Sequence, residues 1–370
     1  MTTEETGLTT ADMSATEARK IKVLIVDDAS FMRKAILNML KVDPQIEVVG
    51  TASNGQEGLD KIRELKPDVV TLDIDMPIMD GITSIRHIMI KSPVPVVVLS
   101  SMFSDGAITF DALRLGVVDF IPKPSGAVST DIDRSRQHLI DRIKLASEVN
   151  LSNIRRVRLP QWEAGQEPDH SGYQPMDYLL AIGTTLSGPN TIIRLLANLP
   201  PTLPAAVVIV VEMAERVLQA FVERFDMLVP WKVAVAEDGM QLKAGCCYIS
   251  SCQESIRVRE MADGTTCLQK MENSSEPLNQ LFMSAADVFQ RNTIGVLLTG
   301  IGTDGADGFA HIQSLSGVTM AQDTDTCVFP NLTDNAIKRG TVTNILDEPK
   351  LPQAIISIMA GQRSIDDCCM

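Results

Sequence analysis

No run of about 18 apolar residues occurs in this 370-residue chain, which argues against a membrane-spanning helix. The opening segment, MTTEETGLTTADMS, lacks the positive start and apolar core of a secretory signal, so a cytoplasmic protein is expected. Basic residues are outnumbered. Lys and Arg total 33 against 47 Asp and Glu, a formal net charge of −14. Neutralising phosphates requires a basic face, so no nucleic-acid partner is expected. The seven cysteines are odd in number and contain no CxxC pair. Cys246, Cys247, Cys252 and Cys267 have no histidine nearby in sequence and read as reduced thiols, not metal ligands. Cys368-Cys369-Met370 is not a prenylation box, because Asp367 precedes it. Histidine is scarce, with only His87, His138, His170 and His311.

What the chain does have is alternation. An apolar content of 45% suffices for two cores, and the length makes two domains the natural division. In the first half, short apolar runs alternate with helix-spaced segments. Phe31, Ala35, Ile36, Met39 and Leu40 recur at helical spacing after Ser30, a plausible N-cap. Residues 55–65 and 82–90 repeat that pattern, and a last helix is expected over about 135–149. From 150 to 176 the chain is polar and punctuated by Pro and Gly, with a cluster Arg155-Arg156-Val157-Arg158, and reads as a solvated linker. A second α/β pattern begins at Asp177, with apolar strands at 178–182, 205–211, 232–236, 246–249, 293–298 and 318–321. Residues 256–260 and 267–271 flank Asp263-Gly264, a hairpin signal. The expected fold class is α/β: two doubly wound parallel-sheet domains, at 20–149 and 177–362, joined by a linker. Segments 1–19 and 363–370 are expected tails.

Five polar signals in the first half each end a short apolar run. Asp27-Asp28 follow 21–26, and Asp73 follows 69–72, ahead of Asp75-Met76-Pro77 and Asp80-Gly81. Ser100 follows 96–99, and Lys123-Pro124 follow 120–122. In a parallel sheet these ends meet at one edge, where ligands bind. Any one aspartate there is more simply a helix cap or a turn; five polar signals in this order are not. Clustered carboxylates repel one another unless a hard divalent cation sits among them, and Mg²⁺ suits a few carboxylates plus waters. Asp28 and Asp73 are the expected ligands, with Asp27 acting through water and the Asp75 carbonyl adding another. Asp73 is then a nucleophile towards a phosphoryl group, whose oxygens Mg²⁺ and Lys123 stabilise. Ser100 can hydrogen-bond the acyl phosphate.

This segment resembles the receiver domain of bacterial two-component response regulators over about residues 20–126, in Asp27-Asp28, TLDIDMP, Met79-Asp80-Gly81, Ser100 and Lys123-Pro124. The resemblance implies a flavodoxin-like domain, phosphorylation of Asp73 by a sensor histidine kinase and a Mg²⁺ requirement. It also implies that Phe120 rotates inward together with Ser100 and that the bond before Pro124 is cis. On its own spacing, Phe120 reads as a core residue, and the two roles are compatible.

In the second half two turns stand out. Ile182-Gly183-Thr184-Thr185-Leu186-Ser187-Gly188-Pro189 joins a strand to a helix and can present backbone N–H groups and a hydroxyl to an anion. Leu298-Thr299-Gly300-Ile301-Gly302-Thr303-Asp304-Gly305 is a glycine-rich strand exit presenting Asp304. Either alone is a tight turn with a helix cap. Together, with Ala236-Glu237-Asp238-Gly239 and Ala321-Gln322, they resemble the Rossmann-like catalytic domain of the chemotaxis protein-glutamate methylesterase (CheB) family over about 177–360. That family hydrolyses glutamyl methyl esters on chemoreceptors and deamidates glutamines with a serine, a histidine and an aspartate. Here Thr185 stands at the serine position, Glu212 at the histidine position, and only Asp304 is retained. Ser255 replaces a further histidine, and Asn279 an acidic residue.

These replacements matter chemically. An ester-cleaving hydroxyl needs a base that takes and returns its proton, and imidazole titrates near neutrality with two usable nitrogens. Glu212 has no donor when ionised, and beside Asp304 it is expected to form a like-charge pair. His138 belongs to the first domain and His311 lies about 10 Å along a helix from Asp304, so neither supplies the base. The expected protein is a chemotaxis response regulator whose output domain has lost standard catalysis and binds chemoreceptors or other signalling proteins in a phosphorylation-dependent way. The alternatives are an active methylesterase and deamidase, and a receiver acting as a phosphate sink.

Overall fold

The computed structural model describes residues 19–100, 106–123, 131–154, 176–271 and 275–361. Outside them lie almost all of the expected tails, the arginine cluster and His170 of the expected linker, the Lys123–Pro124 bond and Cys368-Cys369.

Five parallel strands form a first sheet: β1 (Ile21–Val26), β2 (Ile46–Ala52), β3 (Val69–Leu72), β4 (Val96–Ser100) and β5 (Asp119–Pro122), in the order β2-β1-β3-β4-β5. Helices α1 (Ser30–Leu40), α2 (Gly55–Leu65), α3 (Gly81–Lys91), α4 (Gly106–Leu115) and α5 (Asp131–Ser147) alternate with them. The strands are apolar on both faces because helices cover both, and every residue of β3 and β4 is buried. Two expectations for α1 fail. Ser30 is its first residue and Ala29 its N-cap, without a side-chain cap. Phe31 is 71% exposed, because it points away from the face through which Met32, Ile36, Leu37, Met39 and Leu40 meet the core. α5 starts earlier than its apolar spacing indicates, since residues 133–138 are all polar.

The second sheet has seven strands, all parallel, in the order β14-β13-β12-β6-β7-β9-β8. These are β6 (Tyr178–Thr184), β7 (Ala205–Val211), β8 (Lys232–Val235), β9 (Cys246–Ser251), β12 (Thr293–Leu297), β13 (Val318–Gln322) and β14 (Asn344–Leu346). The short β14 has no apolar run to announce it. β10 (Ser255–Glu260) and β11 (Thr266–Met271) form the expected antiparallel hairpin, with Val258 opposite Leu268. The helices are α6 (Gly188–Ala197), α7 (Glu215–Asp226), α8 (Pro277–Phe289), α9 (Ala306–Ser314), α10 (Asn331–Lys338) and α11 (Leu351–Met359). Both sheets are therefore doubly wound. Strand order reverses between β1 and β3 in one and between β6 and β12 in the other, which opens a crevice at the carboxyl ends of those strands.

The two halves pack together through helices. Phe110 of α4 stacks on Phe221 of α7 with ring centroids 5.6 Å apart, and Phe225 completes the trio. Burying each ring contributes roughly 1.5–3 kcal/mol. Leu186, at the turn after β6, is buried in the cluster that holds Val118, Ile121 and Leu139 of the first half. The Asn190 amide donates to the carbonyls of Leu113 and Arg114 at 3.1 and 3.2 Å. Asn153 reaches across to the carbonyls of Asp325 and Cys327 at 2.8 and 2.7 Å. Among the described residues no helix is long and apolar enough to cross a membrane.

Candidate functional site

At the first crevice, β1 delivers Asp27 and Asp28 and β3 delivers Asp73. Their carboxylates come within 4.8 Å of one another, and they are the only such metal-competent group among the described residues. Among the described residues, Cys246, Cys247, Cys252, Cys267 and Cys327 are free thiols. Lys123, directly after β5, places Nζ 2.8 Å from Asp27 Oδ2 and 2.6 Å from Asp73 Oδ2. Burial raises the Asp73 pKa, and Lys123 only partly offsets this. Burial works against the Lys123 charge, but Asp27 and Asp73 outweigh it and hold its pKa above the usual value. Ala29 N–H donates to Asp27 Oδ1, and Arg33 donates to the carbonyls of Asp27 and Asp28, so the loop after β1 is braced from α1.

Asp80 caps α3 by accepting the Thr83 N–H at 2.7 Å. Gly81 lies so close to the Asp73 backbone that a Cβ there would sit 2.4 Å from the Asp73 carbonyl oxygen. The Asp-Gly pair thus sets the loop that carries Asp73. The Asp75 side chain is exposed beyond the cluster. Ser100 is buried at the end of β4, next to β3 and β5. Phe120 is half-buried; it packs on the core and lines a cleft of about 110 Å³ between the two halves.

The second crevice brings Thr185 after β6 and Asp304 after β12 to the same edge, and Glu212 follows the neighbouring β7. Their side chains do not connect as a catalytic relay. Thr185 Oγ1 donates to the Ile301 carbonyl at 2.9 Å and accepts the Ile301 N–H at 2.7 Å. Its proton therefore faces a peptide carbonyl, which cannot serve as a base. Among the described residues no hydrogen bond joins Thr185 to Glu212.

Glu212 does not form the expected like-charge pair with Asp304. Its carboxylate accepts from Arg142 of α5, which also lies 3.5 Å from Asp119 Oδ2. The acidic neighbour that helps burial raise the Asp304 pKa is Glu276. His138, read from sequence as remote, lines the same cleft as Glu212, Arg142 and Asp119. Burial lowers its pKa, and Arg142 lowers it further. Nothing local in the sequence announces these neighbours, because Arg142 and Glu212 are 70 positions apart.

Asp304 is occupied structurally. Its carboxylate accepts the N–H groups of Leu278 and Asn279 at 2.7 and 3.0 Å, capping α8. Asn279 returns the brace: its Oδ1 accepts from Gly305 at 3.0 Å and Gly308 at 2.8 Å, at the start of α9. The two helix N-termini hold each other, and the glycine-rich exit of β12 is fixed between them. Asn279→Ala leaves two buried N–H groups without their acceptor, and the full chain is expected to lose about 1–3 kcal/mol of stability. The readout is the urea midpoint, and an unchanged midpoint would show that the brace is dispensable.

Comparisons with known proteins cover both halves. The CheB methylesterase family model matches residues 180–355, and the response regulator receiver domain model matches residues 23–130. A protein-glutamate methylesterase/protein-glutamine glutaminase of Pyrococcus abyssi is 33% identical over 346 residues, covering 91% of this chain and 93% of that protein. A like-named protein of Oleidesulfovibrio alaskensis is 36% identical over 368 residues, covering 91% and 99%. The crystal structure of the Thermotoga maritima CheB methylesterase catalytic domain is 26% identical, covers 49% of this chain and 98% of that one, and has a TM-score of 0.47.

Proposed function

The chain belongs to the CheB protein-glutamate methylesterase family, and we propose that it is a chemotaxis response regulator whose output domain acts by phosphorylation-dependent binding and not by ester hydrolysis. One observation carries this reading: the Thr185 hydroxyl is bonded in both directions to the Ile301 backbone, while Glu212 is held by Arg142. A nucleophile and its base must lie within hydrogen-bond reach of each other, and these two are committed elsewhere.

In the receiver, the proposed phosphoacceptor is Asp73. The carboxylate cluster already accommodates one cation, the Lys123 ammonium, and its all-oxygen donor set suits Mg²⁺. Asp28 and Asp73 would hold the ion, with Asp27 acting through water and the Asp75 carbonyl contributing. When bound, Mg²⁺ supplies positive charge against the phosphoryl oxygens. Asp73 provides the attacking oxygen, Lys123 orients and neutralises the arriving group, and Ser100 hydrogen-bonds the acyl phosphate. Phe120 is the proposed switch, since it lines the cleft towards the output domain. The phosphoryl donor in this reading is a sensor histidine kinase. The binding partners are methyl-accepting chemoreceptors or other signalling proteins, met in the cytoplasm.

Co-sedimentation with chemoreceptor-containing membranes tests the binding role. Protein treated with acetyl phosphate and Mg²⁺ is expected to bind differently, by several-fold, from the Asp73→Asn protein under the same treatment. Equal binding in every state removes the proposed signal. The second reading, an active methylesterase, is favoured by the names of the relatives and by retention of Asp304, and methanol release decides it.

A further inference from the structure

We infer that Glu212 is the output-domain half of an interdomain charge clasp, in which it and the receiver's Asp119 grip the single guanidinium of Arg142. The inference rests on the reading that Glu212 does no base chemistry.

Arg142 hydrogen-bonds Glu212 through Nη2 and approaches Asp119 Oδ2 with Nε at 3.5 Å. The side chains are only 16%, 29% and 19% exposed for Arg142, Glu212 and Asp119. Asp119 and Arg142 come from the receiver, on β5 and α5, and Glu212 comes from the end of β7 in the other domain. A neutral histidine at position 212 could accept a hydrogen bond from Arg142 but would bring it no opposite charge. A glutamate supplies the charge that Arg142 lacks a cross-domain partner for. One replacement therefore explains both the missing base and the added contact.

The remainder of the contact is mainly apolar, centred on Phe110, Phe221, Phe225 and Leu186. Apolar burial gives affinity with little register, whereas a charge pair fixes which surfaces align. One member of the clasp, Asp119, also lies on the strand that leads to Lys123 at the phosphoacceptor site. Asp119 opens β5, and Lys123 follows its last residue and pairs with Asp27 and Asp73. The two are four residues apart, roughly 13 Å along an extended strand. A shift of Lys123 is thus carried by one short strand to Asp119, and from there to Arg142 and Glu212.

Amide hydrogen exchange on the full chain, read at α4 and α7, tests the clasp. Glu212→Ala, Glu212→Gln and Arg142→Ala are each expected to speed exchange there by about fivefold or more. The Arg142→Ala/Glu212→Ala double variant should exchange no faster than the faster single one, because both remove the same link. Phe110→Ala is the positive control for a loosened contact, and unchanged slow exchange in β6 shows that the output domain stays folded. Wild-type rates in all three single variants, or effects that add in the double variant, overturn the inference. If phosphorylation leaves wild-type exchange unchanged while the Glu212 variants loosen, the clasp stands and phosphorylation-dependent binding loses its support. If phosphorylation speeds exchange while the Glu212 variants match wild type, the clasp fails and the binding role stands.

Discussion

Wild-type protein incubated with methylated chemoreceptor is expected to release methanol at least about a thousandfold more slowly than an ordinary family member, phosphorylated or not. Three features combine. Thr185 Oγ1 donates its hydrogen bond to the Ile301 carbonyl, and among the described residues no base is placed to remove that proton during attack. Glu212 is held by the Arg142 guanidinium, away from Thr185, so it is not placed to take up the hydroxyl proton or return it to the leaving alkoxide. Asp304 spends both carboxylate oxygens on the N-terminus of α8. Undocking the receiver would free Glu212 but would leave the first and third features in place. Thr185→Ser combined with Glu212→His rebuilds the serine–histidine pair, and a small recovery of turnover is expected only in that double variant. Turnover near that of a working relative, abolished by Thr185→Ala, would show that the site is active as it stands.

Asp73→Asn should take no label from radioactive acetyl phosphate in the presence of Mg²⁺, and Asp28→Ala should take almost none. The first change removes the attacking oxygen, because an amide does not form an acyl phosphate under these conditions. The second removes a carboxylate from a cluster of three, and with it the proposed metal site. Binding of Mg²⁺ in calorimetry is expected at roughly hundreds of micromolar to millimolar, the range of a site that keeps several waters, and is lost in Asp28→Ala. Wild-type labelling in Asp73→Asn would move the phosphoacceptor elsewhere. Undiminished labelling in the presence of a chelator would remove the metal from the mechanism.

Much of the architecture was legible because parallel strands buried on both faces are near-continuous apolar runs, as at β3, β4 and β7. β14 is not legible in this way, because its three residues carry no such run. Residue type alone points to Ser30 as the α1 cap, one residue past Ala29, since helix starts are set by backbone geometry as well as by residue type. Phe31 fits the helical spacing and still faces solvent, because its neighbour Met32 takes the core-facing position in the first turn.

The sequence by itself determined which residues arrive at each crevice. Asp27, Asp28, Asp73, Ser100 and Lys123 each end or follow a strand, as do Thr185, Glu212 and Asp304, and in a parallel sheet a strand's end already specifies the edge of the fold it occupies. Only the tertiary structure decided what those side chains do on arrival. Thr185 is bonded to a backbone 116 positions away, Asp304 and Asn279 brace two helix starts, and Glu212 turns from Asp304 to Arg142. A strand end is a local property that a few neighbouring residues encode. A side chain's partner depends on which distant surfaces the packed core and the docked domains bring within about 3 Å of it, and no local pattern records that distance.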